Sequence, residues 1–138
     1  MKHAHELMEE INRIEEKKRA EALESAMQTY RQNLSAIDEL VETELFGGKG
    51  KARIMFEKPY GVPQGFYRFC SKDFTYSMSQ PYYSNKVESV PFPLADYTEY
   101  LEQHGYKVST EAEVFTGYSS TGKTSREMHC WILVISAK

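Results

Sequence analysis

The sequence predicts an α+β fold, in which a long N-terminal helix or helical hairpin is followed by an antiparallel sheet of about five strands with one short helix packed on it. Three observations predict this fold. Residues 3–45 contain neither Gly nor Pro, the segments after residue 50 alternate apolar and polar side chains, and residues 93–105 return to helical apolar spacing. A helix, then strands, then a helix and a final hairpin is the order of an α+β sandwich.

The first predicted unit is a helical arm, residues 1–46, in which good helix formers dominate. Its apolar side chains recur every three or four residues, as they do along the seams of coiled coils. The seam residues are Leu7, Ile11, Ile14, Leu23, Met27, Tyr30, Leu34, Ile37 and Val41. The spacing fails between Ile14 and Leu23, where the charged run Glu15–Arg19 intervenes. Either one helix passes through a stutter, or two helices break near residues 15–21.

A seam this narrow needs a partner, because an isolated amphipathic helix is only marginally stable in water. Two partners are available, the chain's own sheet and a second copy of the chain. We expect the later seam residues, which lie nearer the sheet, to pack on the sheet or on a neighbouring subunit. We expect the earlier ones to mediate self-association, so the arm predicts a homo-oligomer.

The second predicted unit, residues 47–138, is an antiparallel α+β domain that begins with the loop Gly47–Gly50. Alternation and aromatic runs predict strands near residues 52–56, 66–70, 74–78, 106–114 and 127–136. Pro93 suits the first turn of a helix and Gly105 suits its end, so we expect a short helix over residues 93–104.

The last predicted strand is apolar on both faces. Cys130, Ile132 and Val134 lie on one face, and Trp131 and Leu133 lie on the other. A strand of this kind is normally covered on both sides, so we expect it to be central in the sheet. The short helix can cover one side, and the arm or a second subunit is expected on the other.

Charge and composition exclude several classes of protein. Residues 1–46 carry 6 basic and 11 acidic side chains, whereas residues 47–138 carry 11 and 9. This distribution lacks the concentrated basic stripe of a duplex-DNA binder. Neither a secretory signal nor a membrane span is recognisable, so we expect a cytoplasmic protein. Cys70 and Cys130 lack metal-ligand spacing, so we expect reduced core thiols, no metal and no cofactor.

Residues 117–124 match the phosphate-binding pattern GxxxxGK[ST]. In a P-loop enzyme that pattern follows a strand and opens a helix, whose N-terminus helps to bind the phosphates. Here the following residues, 127–135, are β-branched and aromatic and predict a strand. We therefore interpret residues 117–124 as a hairpin loop and not as a P-loop.

The tyrosines and arginines of the sheet domain are the candidate binding residues. Nine of the ten tyrosines follow residue 47, and Tyr and Arg are common anchors both in protein interfaces and in nucleotide sites. The candidates are Arg53, Tyr67, Arg68, Tyr76, Tyr118, Lys123 and Arg126. No catalytic residue is assigned. Adjacent strand residues point to opposite faces, so His129 and Cys130 cannot act as a base and nucleophile pair.

These observations favour a non-enzymatic, oligomeric binding protein with a protein or small anionic partner. Its sharpest form is a phage or mobile-element inhibitor that acts by protein–protein contact. Three alternatives stay open. The first is sequestration of a small nucleotide-like anion, the second is a hydrolase with an unrecognised site, and the third is single-stranded nucleic-acid binding, which would show steep salt dependence.

Overall fold

A computed structural model of the chain describes residues 1–59, 61–70, 87, 90–118 and 125–137, with only the backbone described at 113, 115–118 and 125–129. The described elements are α1 (Ala4–Gln32), α2 (Leu34–Gly47), β1 (Lys51–Glu57), β2 (Phe66–Phe69), β3 (Phe92–Pro93), α3 (Leu94–Gln103), β4 (Lys107–Tyr118) and β5 (Ser125–Ser136). The predicted α+β fold is confirmed. The strand predicted at 74–78 lies outside the described residues.

The arm consists of two helices, and the break lies at Asn33. Helix α1 runs without interruption through Glu15–Arg19, because charged helix formers do not stop a helix. The alternative with a break near residues 15–21 is therefore wrong, and so is the single continuous helix. Asn33 ends α1 by donating its side-chain amide to the Thr29 carbonyl oxygen at 2.8 Å. Its own carbonyl oxygen then accepts the Ile37 N–H at 3.1 Å, which begins α2.

The five strands are antiparallel and lie in the order β3-β2-β1-β5-β4. Strands β4 and β5 have twelve residues each and pair along their whole length, from Lys107↔Ser136 to Tyr118↔Ser125. On its other edge β5 pairs with β1, from Lys51↔Ser136 to Phe56↔Trp131. Strand β5 is therefore flanked on both sides, in agreement with the central position that its apolar pattern predicts.

The main core lies between the helices and one face of the sheet, which we call the inner face. Helix α2 contributes Ile37 and Val41, and α3 contributes Tyr97; the sheet contributes, among others, Ile54 and Leu133. The arm and the short helix thus cover the same face, whereas the sequence predicts that they cover opposite faces. Because α1 and α2 are separate helices, α2 can lie beside α3 over one surface.

The connection from α2 to β1 is a close approach of backbone to backbone. A Cβ atom on Gly48 would lie 1.8 Å from the Lys51 carbonyl oxygen, so only glycine fits there. The next turn is secured by the Gly50 N–H, which donates to the Leu45 carbonyl oxygen at 2.8 Å. The loop therefore fixes the end of α2 against the start of β1.

None of the described helices is long and apolar enough to cross a membrane.

We predict that Ile37→Ala lowers the free energy of unfolding by about 2–5 kcal/mol, because it leaves a cavity in the core under α2. Ile37 is fully buried. The matched control on the same helix is Phe46→Ala, since Phe46 is 84% exposed and its removal should cost less than about 0.5 kcal/mol. Urea unfolding of the two variants gives the comparison, and equal losses would contradict the core described here.

Candidate functional site

The face of the sheet opposite the helices, which we call the outer face, carries the chemically distinctive side chains. Residues paired across adjacent antiparallel strands share a face, so the registers assign its members. They are Arg53, Met55 and Glu57 on β1, Arg68 and Cys70 at β2, Cys130, Ile132 and Val134 on β5, and Glu111 on β4.

Two buried thiols and a carboxylate meet at the centre of the outer face. The ligating atoms of Glu57, Cys70 and Cys130 all lie within 4.8 Å of one another. The two cysteines are 1% and 2% exposed and pack against Met55. The Cys70 N–H donates to the Met55 carbonyl oxygen at 2.9 Å, which holds Cys70 beside β1. We call these three residues the thiol cluster.

The thiols of this cluster are held in their neutral form. Burial raises the pKa of Cys70 far above its ordinary value, and the negative charge of Glu57 adds to the effect. Burial and Glu57 also raise the pKa of Cys130. Since the thiolate is the nucleophilic form of cysteine, neither thiol is activated for attack in this state.

Arg68 neutralises the carboxylate of the cluster. Glu57 and Arg68 are directly opposite each other in the β1–β2 register. The Arg68 Nε and Nη2 atoms donate to the same oxygen, Glu57 Oε1, at 3.1 and 2.9 Å. Glu57 is half-buried, so this pair fixes the carboxylate beside the thiols and compensates its charge.

A cavity of about 940 Å³ lies beside the thiol cluster, at the corner where α2 meets the sheet. Its lining includes the apolar residues Met55, Ile132 and Val134 and the basic residues Lys51 and Arg53. The remaining lining residues are Thr43, Glu44, Gly47, Gly48, Ala52, Ile135 and Ser136. Arg53 spans β5 to reach β4, where its Nη2 atom donates to Glu111 Oε2 at 2.8 Å.

The predicted tyrosine and arginine residues whose side chains the structure describes lie on both faces of the sheet. Arg53 and Arg68 share the outer face, each bonded to a carboxylate, whereas Tyr67 is half-buried on the inner face. There its ring packs edge-on against Phe56 and Trp131, with centroids 5.2 and 5.8 Å away. Tyr76 and Lys123 lie outside the described residues, and only the backbone of Tyr118 and Arg126 is described.

The GxxxxGK[ST] segment is flanked by two paired strands. Strand β4 extends to Tyr118, and β5 begins at Ser125, its partner in the register. A strand therefore follows the motif, at the place where a P-loop requires a helix N-terminus. Residues 119–124 lie outside the described part of the chain.

The seam residues of the arm divide into a buried group and an exposed group. Tyr30, Ile37 and Val41 are buried in the main core, and Met27 and Leu34 pack partly against it. Leu7, Ile11, Ile14 and Leu23 are between 37% and 49% exposed. Along the chain the first buried residue is Ala26. Residues 1–25, which we call the projecting segment, therefore extend away from the sheet and its helices.

Sequence reasoning missed a polar contact between α2 and α3. The Tyr100 hydroxyl donates to Asp38 Oδ2 at 2.6 Å, and the Tyr97 hydroxyl donates to Asp38 Oδ1 at 3.3 Å. The hydrogen bond to Asp38 and partial burial raise the pKa of Tyr100 to about 12. Burial above all raises the pKa of Tyr97, and Asp38 adds to it. Asp38 lies between apolar seam residues in the sequence. Nothing in that local pattern indicates that it bonds to Tyr100, 62 positions away.

Comparison with known proteins gives no relative. No family model, no curated protein and no solved structure matches the chain.

We predict a specific loss of stability between pH 10 and 12. The pKa of Tyr100 rises from 10 to about 12 on folding, so its contribution is complete below pH 10 and is lost as the pH rises through 12. Tyr100→Phe should lower the free energy of unfolding at pH 7, where the hydrogen bond is made, and should flatten the alkaline decline. Asp38→Asn replaces the carboxylate that accepts this hydrogen bond and should flatten the decline too. Urea unfolding across this range tests both, and an unchanged slope in both variants would contradict the assignment.

Proposed function

We propose that this chain is a non-enzymatic, homo-oligomeric binding protein, in which the projecting segment pairs with a second copy and the outer face of the sheet receives the partner. The observation that carries the proposal is the exposed apolar seam of the projecting segment. Leu7, Ile11 and Ile14 lie on a part of α1 whose residues are almost all exposed. Exposed apolar rows of this length are typical of interaction surfaces.

The row formed by Leu7, Ile11 and Ile14 lies on a different side of α1 from the residues that pack against the rest of the chain. At 100° per residue, the stripe formed by Leu7, Ile11 and Ile14 lies on average about 115° around α1 from Ala26 and Tyr30, which are buried. Bending the helix towards the sheet would therefore not bury this stripe. Its cover has to come from another molecule.

The charges beside the seam favour a second copy in antiparallel orientation. With Ile11 at heptad position a and Ile14 at d, Glu10 and Lys17 occupy g and Glu15 occupies e. A parallel pair would set Glu10 against Glu15 of the partner subunit. An antiparallel pair centred between Ile11 and Ile14 instead sets Glu10 against Lys17 of the partner subunit, twice by symmetry, and stacks the isoleucines on each other.

The ion pairs within a single copy of α1 do not oppose antiparallel pairing. Glu10 bonds to Lys2, and Glu15 lies 3.7 Å from Arg19, but all four side chains are well exposed. Exposed pairs contribute about 0–1 kcal/mol each, so exchanging them for contacts between subunits costs little. Two isoleucine layers supply more, at about 1.5–3 kcal/mol for each side chain fully removed from water.

The non-enzymatic part of the proposal is supported by the thiol cluster. Cys70 and Cys130 are the nucleophilic side chains brought together on the outer face, and their raised pKa values oppose attack. A cytoplasmic inhibitor of the phage or mobile-element type, acting by protein contact, remains the sharpest form of the proposal.

We predict that Ile11→Glu and Ile14→Glu convert the oligomer to a monomer, as measured by light scattering over a range of concentrations. Leu23→Glu is the matched control, because Leu23 is 47% exposed but lies on the opposite side of α1 from the row formed by Leu7, Ile11 and Ile14. That variant should remain oligomeric. A monomeric wild type at every concentration would overturn the proposal.

The orientation is tested separately by exchanging charges. Glu10→Lys should weaken an antiparallel pair, and adding Lys17→Glu should restore it. In a parallel pair Glu10→Lys alone would strengthen association, because it would face Glu15 of the partner subunit.

A second candidate function is the sequestration of a small nucleotide-like anion, and the cavity on the outer face favours it. Its volume of about 940 Å³ lies within the usual range for ligand sites, and Lys51 and Arg53 bring positive charge to a lining that also includes apolar residues.

For this second candidate we predict that nucleotides raise the melting temperature by mass action. Val134→Trp, which places a bulky ring in the cavity, should reduce the shift. Lys51→Ala should reduce it, whereas Lys107→Ala should not, since Lys107 lies on the same face but outside the cavity lining. A thermal-shift panel at millimolar nucleotide measures this, and no shift for any nucleotide would exclude the candidate.

A further inference from the structure

We propose that Glu57, Cys70 and Cys130 form a binding site for one thiophilic divalent cation of the zinc type, with these three residues supplying three of its four coordination positions. This inference does not depend on the proposed function. Two sulfur ligands and one carboxylate suit zinc, and three protein ligands with one open position are the usual set of a reactive zinc site.

The distances in the cluster suit a single bridging ion. Three ligating atoms from β2, β1 and β5 already lie within 4.8 Å of one another. Around a tetrahedral zinc ion with bonds of about 2.3 Å, sulfur atoms stand roughly 3.8 Å apart. Side-chain movements of about 1 Å would therefore bring the three groups onto one ion.

The strand order argues for an ion in preference to a disulfide. Cys70 is held beside one edge of β1 by the Met55 carbonyl oxygen, and Cys130 belongs to β5 on the other edge. Two strand spacings separate their backbones by about 9–10 Å. A disulfide requires Cα atoms about 4.4–6.8 Å apart. The thiols thus approach only at their tips, which is the geometry that an ion between them would use.

The charges of the described groups balance when an ion is bound. Glu57 and Arg68 are the charged side chains that act on Cys70 among the described residues. A divalent cation, two thiolates, the Glu57 carboxylate and the Arg68 guanidinium sum to zero, so the buried site carries no net charge. Arg68 donates from Nε and from Nη2 to one oxygen of Glu57, and metal-binding carboxylates are commonly held by hydrogen bonds of this kind from outer-shell residues.

A cysteine ligates a metal as the thiolate, so binding through both thiols releases their two protons. The balance is one cation bound and two protons released to solvent, with no oxidation or reduction.

The test uses the reduced, chelator-treated full chain titrated with Co²⁺ and Cd²⁺, followed by competition with Zn²⁺. We expect one ion per chain, visible bands of tetrahedral Co²⁺, an ultraviolet thiolate-to-Cd²⁺ charge-transfer band and two protons released per ion. Cys70→Ser and Cys130→Ser should each remove the charge-transfer band or weaken it strongly. Glu111→Gln, an outer-face carboxylate outside the cluster, should leave it unchanged.

A second measurement keeps the test decisive if a cysteine variant fails to fold. Zn²⁺ should protect both thiols of the wild-type chain from alkylation, and the protection should be lost on adding a chelator. Absence of a charge-transfer band in the wild type, or its persistence in a folded cysteine variant, would overturn the proposal. Alkylation at the same rate with and without Zn²⁺ would overturn it as well.

Discussion

The burial of β5 from both sides at once is the constraint on which the other elements depend. Leu133 and Ile135 are fully buried on the inner face, and Cys130 and Ile132 are buried on the outer face. A slip of one residue in its pairing would exchange these two sets, so the burial fixes the register with both β1 and β4. That register in turn places Cys130 near Glu57, which makes the thiol cluster a consequence of how the sheet is packed.

Local patterns were sufficient to predict most of the elements. Alternation located β1, β4 and β5, and Pro93 with Gly105 located α3, because each of these signals lies within the element that it defines. The break at Asn33 was not predictable in this way. The apolar spacing continues across it from Tyr30 to Leu34, and only the side-chain bond to Thr29 shows why the helix ends there.

The candidate sites were less predictable than the fold, since they depend on pairing between distant segments. The period of a strand does place Tyr67 and Arg68 on opposite faces, so that part of the separation was available from the sequence. The meeting of Cys70 with Cys130 was not, because it requires the order β2-β1-β5. The ion pairs of Arg53 and Arg68 likewise follow from that order and change what those side chains offer a ligand.

Helix α1 first becomes buried at Ala26, and this position sets the length of the projecting segment. If two copies of α1 pair in antiparallel orientation and cross between Ile11 and Ile14, the two sheets lie at opposite ends of a rod. At 1.5 Å per residue, Ala26 of one subunit then lies about 40 Å from Ala26 of the other. Two outer faces held at opposite ends of such a rod would engage paired targets of matching separation with an avidity that neither face has alone. The length of the projecting segment would then set the separation of the two outer faces. Inserting or deleting whole heptads in this segment would change the spacing between targets that such a dimer can bridge.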